Sequence, residues 1–321
     1  MQLLTSKLIE KKILENYIEY QHLFTEFQTD FLSGLYKRYQ GLENGNLVLH
    51  YAKLAQLEIL KQKNYDLNFN LCFENLWENH RLIDPQKSPI IKVAQDTSLA
   101  KETARRKISQ LVKQKVLSKE NNKIVWAPNE QYKKNYNLFV HQEIEGVSKI
   151  IIFICKKLDL FIFKEEIIKE LKKNFSFYWY HYLRTQLEYL KIWSVQFKDL
   201  ELVFIALQVI SIFVRKAKEE NLSHKDIYEN SNVFNNFKSE GINATSVSEI
   251  TGIPRATCVR KLETLIGLNI IQQDTISKQY YIAPSNALKN LIGKKNTLKI
   301  AEAFSNFYFI CIRAITAKSS D

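Results

Sequence analysis

Apolar residues recur with a helical period in two well-separated stretches of the chain, and the same punctuation surrounds both. Ala104, Ile108, Leu111 and Val112 fall at i, i+4, i+7 and i+8, one face of a helix running from Lys101 to Lys113. Just upstream, Val93 and Ala94 close a shorter helix that Ser88-Pro89 would start, with Ser as N-cap and Pro at the first helical position. Thr97 and Ser98 mark the break between the two helices. Downstream, Val116-Leu117 and Ile124-Val125-Trp126 flank a polar run from Lys119 to Lys123, the pattern of a β-hairpin.

The second stretch repeats this plan. Ser246-Val-Ser-Glu249 reads as a capping box, Gly252 as the break and Pro254 as the first turn of the next helix. Cys258, Leu262, Leu265 and Ile266 then make the apolar face of a helix from Arg255 to Ile266. Ile270-Ile271 and Tyr280-Tyr281-Ile282 flank the polar run from Gln272 to Gln279. Two helices joined by a tight turn follow the helix-turn-helix plan, and the hairpin is its wing.

At an offset of 154 the two stretches share Val93/Val247, Thr97/Thr251, Thr103/Thr257, Arg106/Arg260, Lys107/Lys261 and Leu111/Leu265. Trp126-Ala127-Pro128 answers Ile282-Ala283-Pro284 at offset 156. Each copy is therefore one structural unit with one job. An aromatic-rich helix and then an apolar one precede each unit, at Tyr17–Tyr39 and Leu47–Leu60, then at Phe175–Trp193 and Leu200–Val214. The expected fold is mainly α with small β-wings, in two repeated helical modules. These are residues 1–140, with the first unit at about 88–130, and 141–321, with the second at about 241–285.

Charge sharpens the picture. The chain carries a net +12; residues 88–134 hold 11 Lys/Arg against 4 Asp/Glu, residues 241–299 hold 8 against 3, and the remainder balances at 27 against 27. A basic surplus confined to the two units is the footprint expected for phosphate-backbone binding.

Thr103-Ala-Arg-Arg-Lys-Ile-Ser-Gln-Leu111 resembles the recognition helix of bacterial winged-helix transcription regulators, the MarR-like and GntR-like families among them. Those helices usually show Thr-Val-Arg-Arg or similar, then Leu-x-x-Leu, then a Gly before the wing; here that Gly position falls at Lys115 and Asn269. The resemblance covers roughly 45 residues in each half, the span of one winged unit. It implies double-stranded DNA as partner, and flanking helices that form a dimerisation frame. Two modules on one chain would make a covalent pseudo-dimer, with recognition helices about one DNA turn, roughly 34 Å, apart.

With Ala104, Ile108 and Leu111 facing inward, Lys101, Thr103, Arg105, Arg106, Lys107 and Gln110 are the candidate DNA-facing residues of the first unit. In the second unit they are Arg255, Thr257, Arg260, Lys261 and Thr264. Lys119, Lys123 and Lys278 are the wing candidates. Positions identical between copies suit phosphate clamps or a shared contact; those that differ, Lys101-Glu102 against Arg255-Ala256, would read different bases.

Other chemistries find little support. Leu202–Val214 is apolar for 13 residues only and Ile150–Phe163 is interrupted by Lys156-Lys157 and Asp159, so neither reaches the roughly 20 residues of a membrane span. The six His and four Cys are scattered, without metal-ligand spacing, a Cys-x-x-Cys pair or a Gly-rich phosphate loop, so no enzyme, metal or cofactor is expected. Reduced thiols and a start without a signal peptide point to the cytoplasm. Phe175–Tyr182 reads as core, with an aromatic effector pocket or a stacking surface for single-stranded bases as the alternatives. A homodimer and a small-molecule effector stay open as partners. Two rival functions are a plasmid-type replication initiator with tandem winged helices and a structural adaptor whose winged helices bind protein.

Overall fold

The computed structural model describes residues 3–84, 86–222, 241–283 and 294–318. Among the described residues the chain forms thirteen helices and two antiparallel hairpins. The first half contains α1 (Ser6–Glu15), α2 (Tyr17–Tyr39), α3 (Leu42–Gln62), α4 (Leu76–Leu82), α5 (Ile90–Thr97) and α6 (Lys101–Lys113). The hairpin β1 (Leu117–Glu120) and β2 (Lys123–Trp126) follows, then α7 (Glu130–Lys157). Next come α8 (Lys164–Lys173), α9 (Phe175–Phe197), α10 (Leu200–Glu219), α11 (Ala244–Thr251) and α12 (Arg255–Gly267). The chain ends in β3 (Ile271–Gln273), β4 (Tyr280–Ile282) and α13 (Lys294–Lys318).

The helices stand where the apolar period puts them, with their starts adjusted by local capping. Pro89, not Ser88, is the N-cap of α5, and the Ser88 hydroxyl turns inward to His50. Ser246-Glu249 is not a capping box: Asn243 caps α11 by accepting the Ser246 N–H at 2.9 Å, so the helix starts three residues earlier. Residue 140 lies inside the continuous 28-residue α7, which ends at Lys157 before the bend at Leu158–Phe163. Pro284 lies outside the described residues.

Each hairpin has its own turn. Asn121 and Asn122, at φ 47° and 61°, form the two-residue connection of β1–β2, where Leu117 pairs with Trp126. Positive φ at both central residues gives the turn that follows strand twist, and Asn tolerates it. In β3–β4, Ile271 pairs with Ile282, and Asp274 Oδ1 accepts the backbone N–H groups of Ile276 and Ser277 to close the longer loop. Ile242 adds a short antiparallel bridge to Tyr280.

The backbone repeats its special positions at fixed intervals. Asn16 (φ −118°, ψ 40°) between α1 and α2 matches Asn174 (φ −114°, ψ 41°) between α8 and α9, 158 residues later. Left-handed Gln40 (φ 55°) after α2 matches Lys198 (φ 56°) after α9 at the same offset. Ser98 (φ 57°) matches Gly252 (φ 74°), and Lys115 (φ 58°) matches Asn269 (φ 56°), at 154. Packing is reciprocal as well: α2 lies against α10 while α3 lies against α9, α1 against α13 while α8 lies against α7, and α11 on α2 while α5 lies on α9. Such exchange is what a two-fold, self-complementary interface produces. One continuous apolar core results, to which both halves contribute.

α13 adds a feature absent from the sequence expectations. Its Lys295–Ala317 stretch is long and apolar enough to cross a membrane by length and composition, but 56% of its most apolar window is buried. Phe304, Phe307, Tyr308, Cys311 and Ile312 spend that apolar surface in the core beside α1 and α9.

Candidate nucleic-acid interface

Both second helices of the repeated units bury one stripe and expose another. On α6, Ala104, Ile108 and Leu111 are buried, while Lys101, Glu102, Arg105, Arg106, Ser109 and Gln110 are exposed. On α12, Cys258, Leu262 and Leu265 are buried, while Arg255, Ala256, Arg260, Glu263 and Thr264 are exposed. Thr103 and Thr257 are half-buried. Arg105 pairs with Glu102 on the same face at 2.5 Å, and Arg255 Nε donates to Thr245 Oγ1 at 3.1 Å. Burial raises the pKa of the Cys258 thiol, as expected of a residue placed for packing.

The six identities divide into two groups. Val93, Leu111, Val247 and Leu265 are core residues. Thr97 and Thr251 are fully buried, and each donates its hydroxyl one turn back at 2.7 Å, to Val93 O and Val247 O. Lys107 is not outward-facing: its half-buried ammonium meets Glu43 Oε2 at 3.1 Å and Asn44 Oδ1 at 3.4 Å. Lys261 likewise meets Asp199 Oδ2 at 2.5 Å and Glu201 Oε2 at 3.3 Å. Glu43 and Glu201 are themselves 158 residues apart, so both lysines fasten the second helix of a unit to the start of α3 or α10. That tie explains their identity without DNA. Arg106 and Arg260 remain as an identical, exposed pair that packing does not account for, with Thr103 and Thr257 one turn before them.

Among the wing candidates, Lys119 and Lys278 are exposed, whereas Lys123 is partly covered and bonds Asp84 Oδ1 at 2.7 Å. The units share one end of the molecule. Glu43, Thr103, Lys198 and Leu200 line a single pocket, which brings the α2–α3 and α9–α10 bends together beside the start of α6. The ion pairs of Lys107 and Lys261 hold α6 and α12 to those same two bends.

The positive charge is less evenly shared than its sequence positions suggest. Within 241–283 only Arg255, Arg260, Lys261 and Lys278 stand against Glu249, Glu263 and Asp274, and Lys261 is paired internally. The remaining surplus sits at 289–299; Lys289 lies outside the described residues. Lys295 and Lys299 of α13 reach the first unit's side, lining a broad open groove with Lys53, Arg184 and Lys191. Two of its acidic residues are engaged: Asp96 with His50 at 3.2 Å and Lys53 at 3.5 Å, Glu302 with Lys7 at 3.8 Å. The exposed Val195 borders both this groove and the pocket at Thr103. The basic surface therefore runs from α6 onto α9 and α13.

Sequence reasoning passed over one cluster. Ser88 Oγ lies 3.0 Å from His50 Nε2, and His50 Nδ1 lies 3.2 Å from Asp96 Oδ2. The order is that of a hydrolytic triad, but the imidazole is sealed from solvent. Its burial lowers the pKa of His50, and the imidazole beside it holds the Asp96 carboxyl down at about 2. The cluster straps both ends of α5 to α3. Spacings of 38 and 8 residues gave no motif to find it by. Among the described residues, no group of three or more His, Cys, Asp or Glu is placed to hold a metal.

No protein family matches the chain, and no curated protein or solved structure is significantly similar to it.

Proposed function

We propose that this protein is a sequence-specific, double-stranded DNA-binding transcription regulator whose two helix–turn–helix–hairpin units act as winged helices on one pseudo-dimeric frame. α6 and α12 would enter the major groove at neighbouring half-sites. Lys101, Thr103, Arg105, Arg106 and Gln110 make the contacts of the first unit, and Arg255, Thr257, Arg260 and Thr264 those of the second. Lys119 and Lys278 reach the backbone from the hairpins. Arg184, Lys191, Lys295 and Lys299 extend the phosphate path beyond α6.

The observation that carries this reading is the pair Arg106/Arg260: after packing and ion pairs explain the other charged identity, these two stay identical and exposed. The test is fluorescence anisotropy with random and genomic duplexes across a salt series. Phosphate contacts give a steep fall of affinity with salt, and selected fragments bind far tighter than random DNA. A flat slope, or no binding at low salt, overturns the proposal and points to an adaptor whose units bind protein.

A further inference from the structure

The two halves fill the same place differently. Behind the first hairpin, Trp126 at the end of β2 and Trp179, contributed by α9 of the other half, are both 2% exposed and each sits among aromatic rings. Trp126 packs on Tyr136 and Trp77 at centroid distances of 5.0 and 5.2 Å, and Trp179 stacks on Phe175 at 4.8 Å. The opening beside Trp126 holds only about 10 Å³. Behind the second hairpin, the fixed offsets put Ile282 at the place of Trp126 and Gln21 of α2 at the place of Trp179, so both indoles are missing. Ile282 and Gln21 line the same partly enclosed cavity of about 90 Å³, between α1, α2, α9, α10, α13 and β4.

The lining has a defined chemistry. Phe24, Phe213 and Trp193 offer aromatic faces, and Leu207, Ile210 and Ile300 aliphatic ones. Among the described residues no charged side chain borders the space, while Tyr17, Gln21, Thr25 and Thr297 bring polar atoms to its wall. The Trp193 indole N–H is sealed from solvent and makes no well-formed hydrogen bond among the described residues. A mainly apolar cavity with a few polar atoms on its wall accepts an uncharged ring.

We propose that this cavity is a binding site for a small, uncharged aromatic molecule, the ring that occupies it standing where the other half of the fold carries a tryptophan side chain. A charged ring is excluded, because no counter-charge on the lining offsets the loss of hydration. Ile282 belongs to the second helix–turn–helix–hairpin unit and α10 is the helix to whose start Lys261 ties α12, so an occupant rests directly on the elements that hold α12.

The probe is free indole, titrated into the 15N-labelled full chain while the four tryptophan indole N–H signals are followed; the Trp193 signal is assigned by its loss in Trp193→Phe. The expected result is a saturable shift of the Trp193 signal, with those of Trp77, Trp126 and Trp179 little changed and no saturable shift from indole-3-acetate. Ile282→Trp and Gln21→Trp each refill the cavity and should abolish the shift. Two variants are used so that overpacking in one does not decide the matter, folding being checked by circular dichroism. No saturable shift up to millimolar indole, or the same shift in a folded refilled variant, overturns the site and leaves a packing void. The readout contains no DNA, so failure of the DNA-binding proposal and failure of this one are separate results.

Discussion

From Ser6 and again from Lys164 the chain makes the same succession of bends: an Asn hinge, a 23-residue helix, a left-handed residue, an apolar helix, a helical pair and a hairpin. Their chemistry has diverged. The first half is basic on its surface and filled within by a tryptophan cluster, and a buried Ser–His–Asp strap holds its helical pair. The second is close to neutral around α12 and hollow beside α10; there Gln208 stands at the place of His50, and its amide donates to Phe204 O at 3.0 Å. Shared backbone geometry survives because both halves build one interface, where a change on one side must suit the other. Surface charge and cavity filling are not bound in that way.

The largest contrast lies in the cores. Trp126→Ala removes a buried indole from between Trp77, His80 and Tyr136. It should cost about 3–5 kcal/mol, whereas Ile282→Ala, beside space that is already empty, should cost about 2 kcal/mol. Denaturant unfolding of both variants measures the difference, and equal losses would mean that the two sites are packed alike.

Next in size is a pH dependence confined to the first half's frame. Burial lifts the Glu143 carboxyl from 4.5 to about 7, although the Arg38 guanidinium lies 3.5 Å away and opposes the shift. A carboxyl whose folded value exceeds its unfolded one stabilises the fold most when protonated. Its contribution is complete below about 4.5 and is lost as pH rises through about 7. Stability should fall by up to about 3 kcal/mol across that window, and Glu143→Gln should flatten the profile. An unchanged profile in the variant would remove Glu143 as its source. The place of Arg38 in the second half is taken by Gln196, which is exposed, so no such pair recurs there.

The charge difference predicts unequal DNA phenotypes. Each lost specific arginine contact costs about 1–3 kcal/mol and lowers the salt slope by about one per phosphate released. Arg105→Ala with Arg106→Ala should weaken binding at least tenfold more than Arg260→Ala, which should still weaken it measurably. Lys107→Ala and Lys261→Ala should instead lower stability and leave the salt slope unchanged. Reversed ranks, or no effect of Arg106→Ala and Arg260→Ala, would sink the assignment of these helices to the groove.

These contrasts mark what sequence pattern can carry. Helices and hairpins were legible because Ala104, Ile108 and Leu111, or Cys258, Leu262 and Leu265, keep a period that only one face satisfies. The start of α11 was misread because Asn243 and Ser246 are both good caps, and the choice depends on Ile242 being held to Tyr280. The direction of Lys107 and Lys261 was not legible: their acceptors lie 64 and 60–62 residues away on another helix. The surplus on Lys295 and Lys299 seemed to belong to the second unit until α13 folded back onto α9. Local period fixes which face a residue occupies; long-range packing decides what it meets there.

The smallest prediction tests the entries to the two hairpins. Lys115 and Asn269 sit at φ 58° and 56°, in the left-handed region, immediately before the strand-entry residues Val116 and Ile270. A side chain there costs about 1–2 kcal/mol relative to the right-handed form, and Asn bears it better than Lys because its short amide bonds locally. Glycine removes the strain but adds freedom to the unfolded chain. Lys115→Gly should therefore gain about 0.5–1 kcal/mol and Asn269→Gly only a few tenths, read as shifts of the denaturation midpoint at constant slope. A gain at Asn269 equal to that at Lys115 would show that residue identity does not set the strain, and that the hairpins beyond impose it on both halves alike.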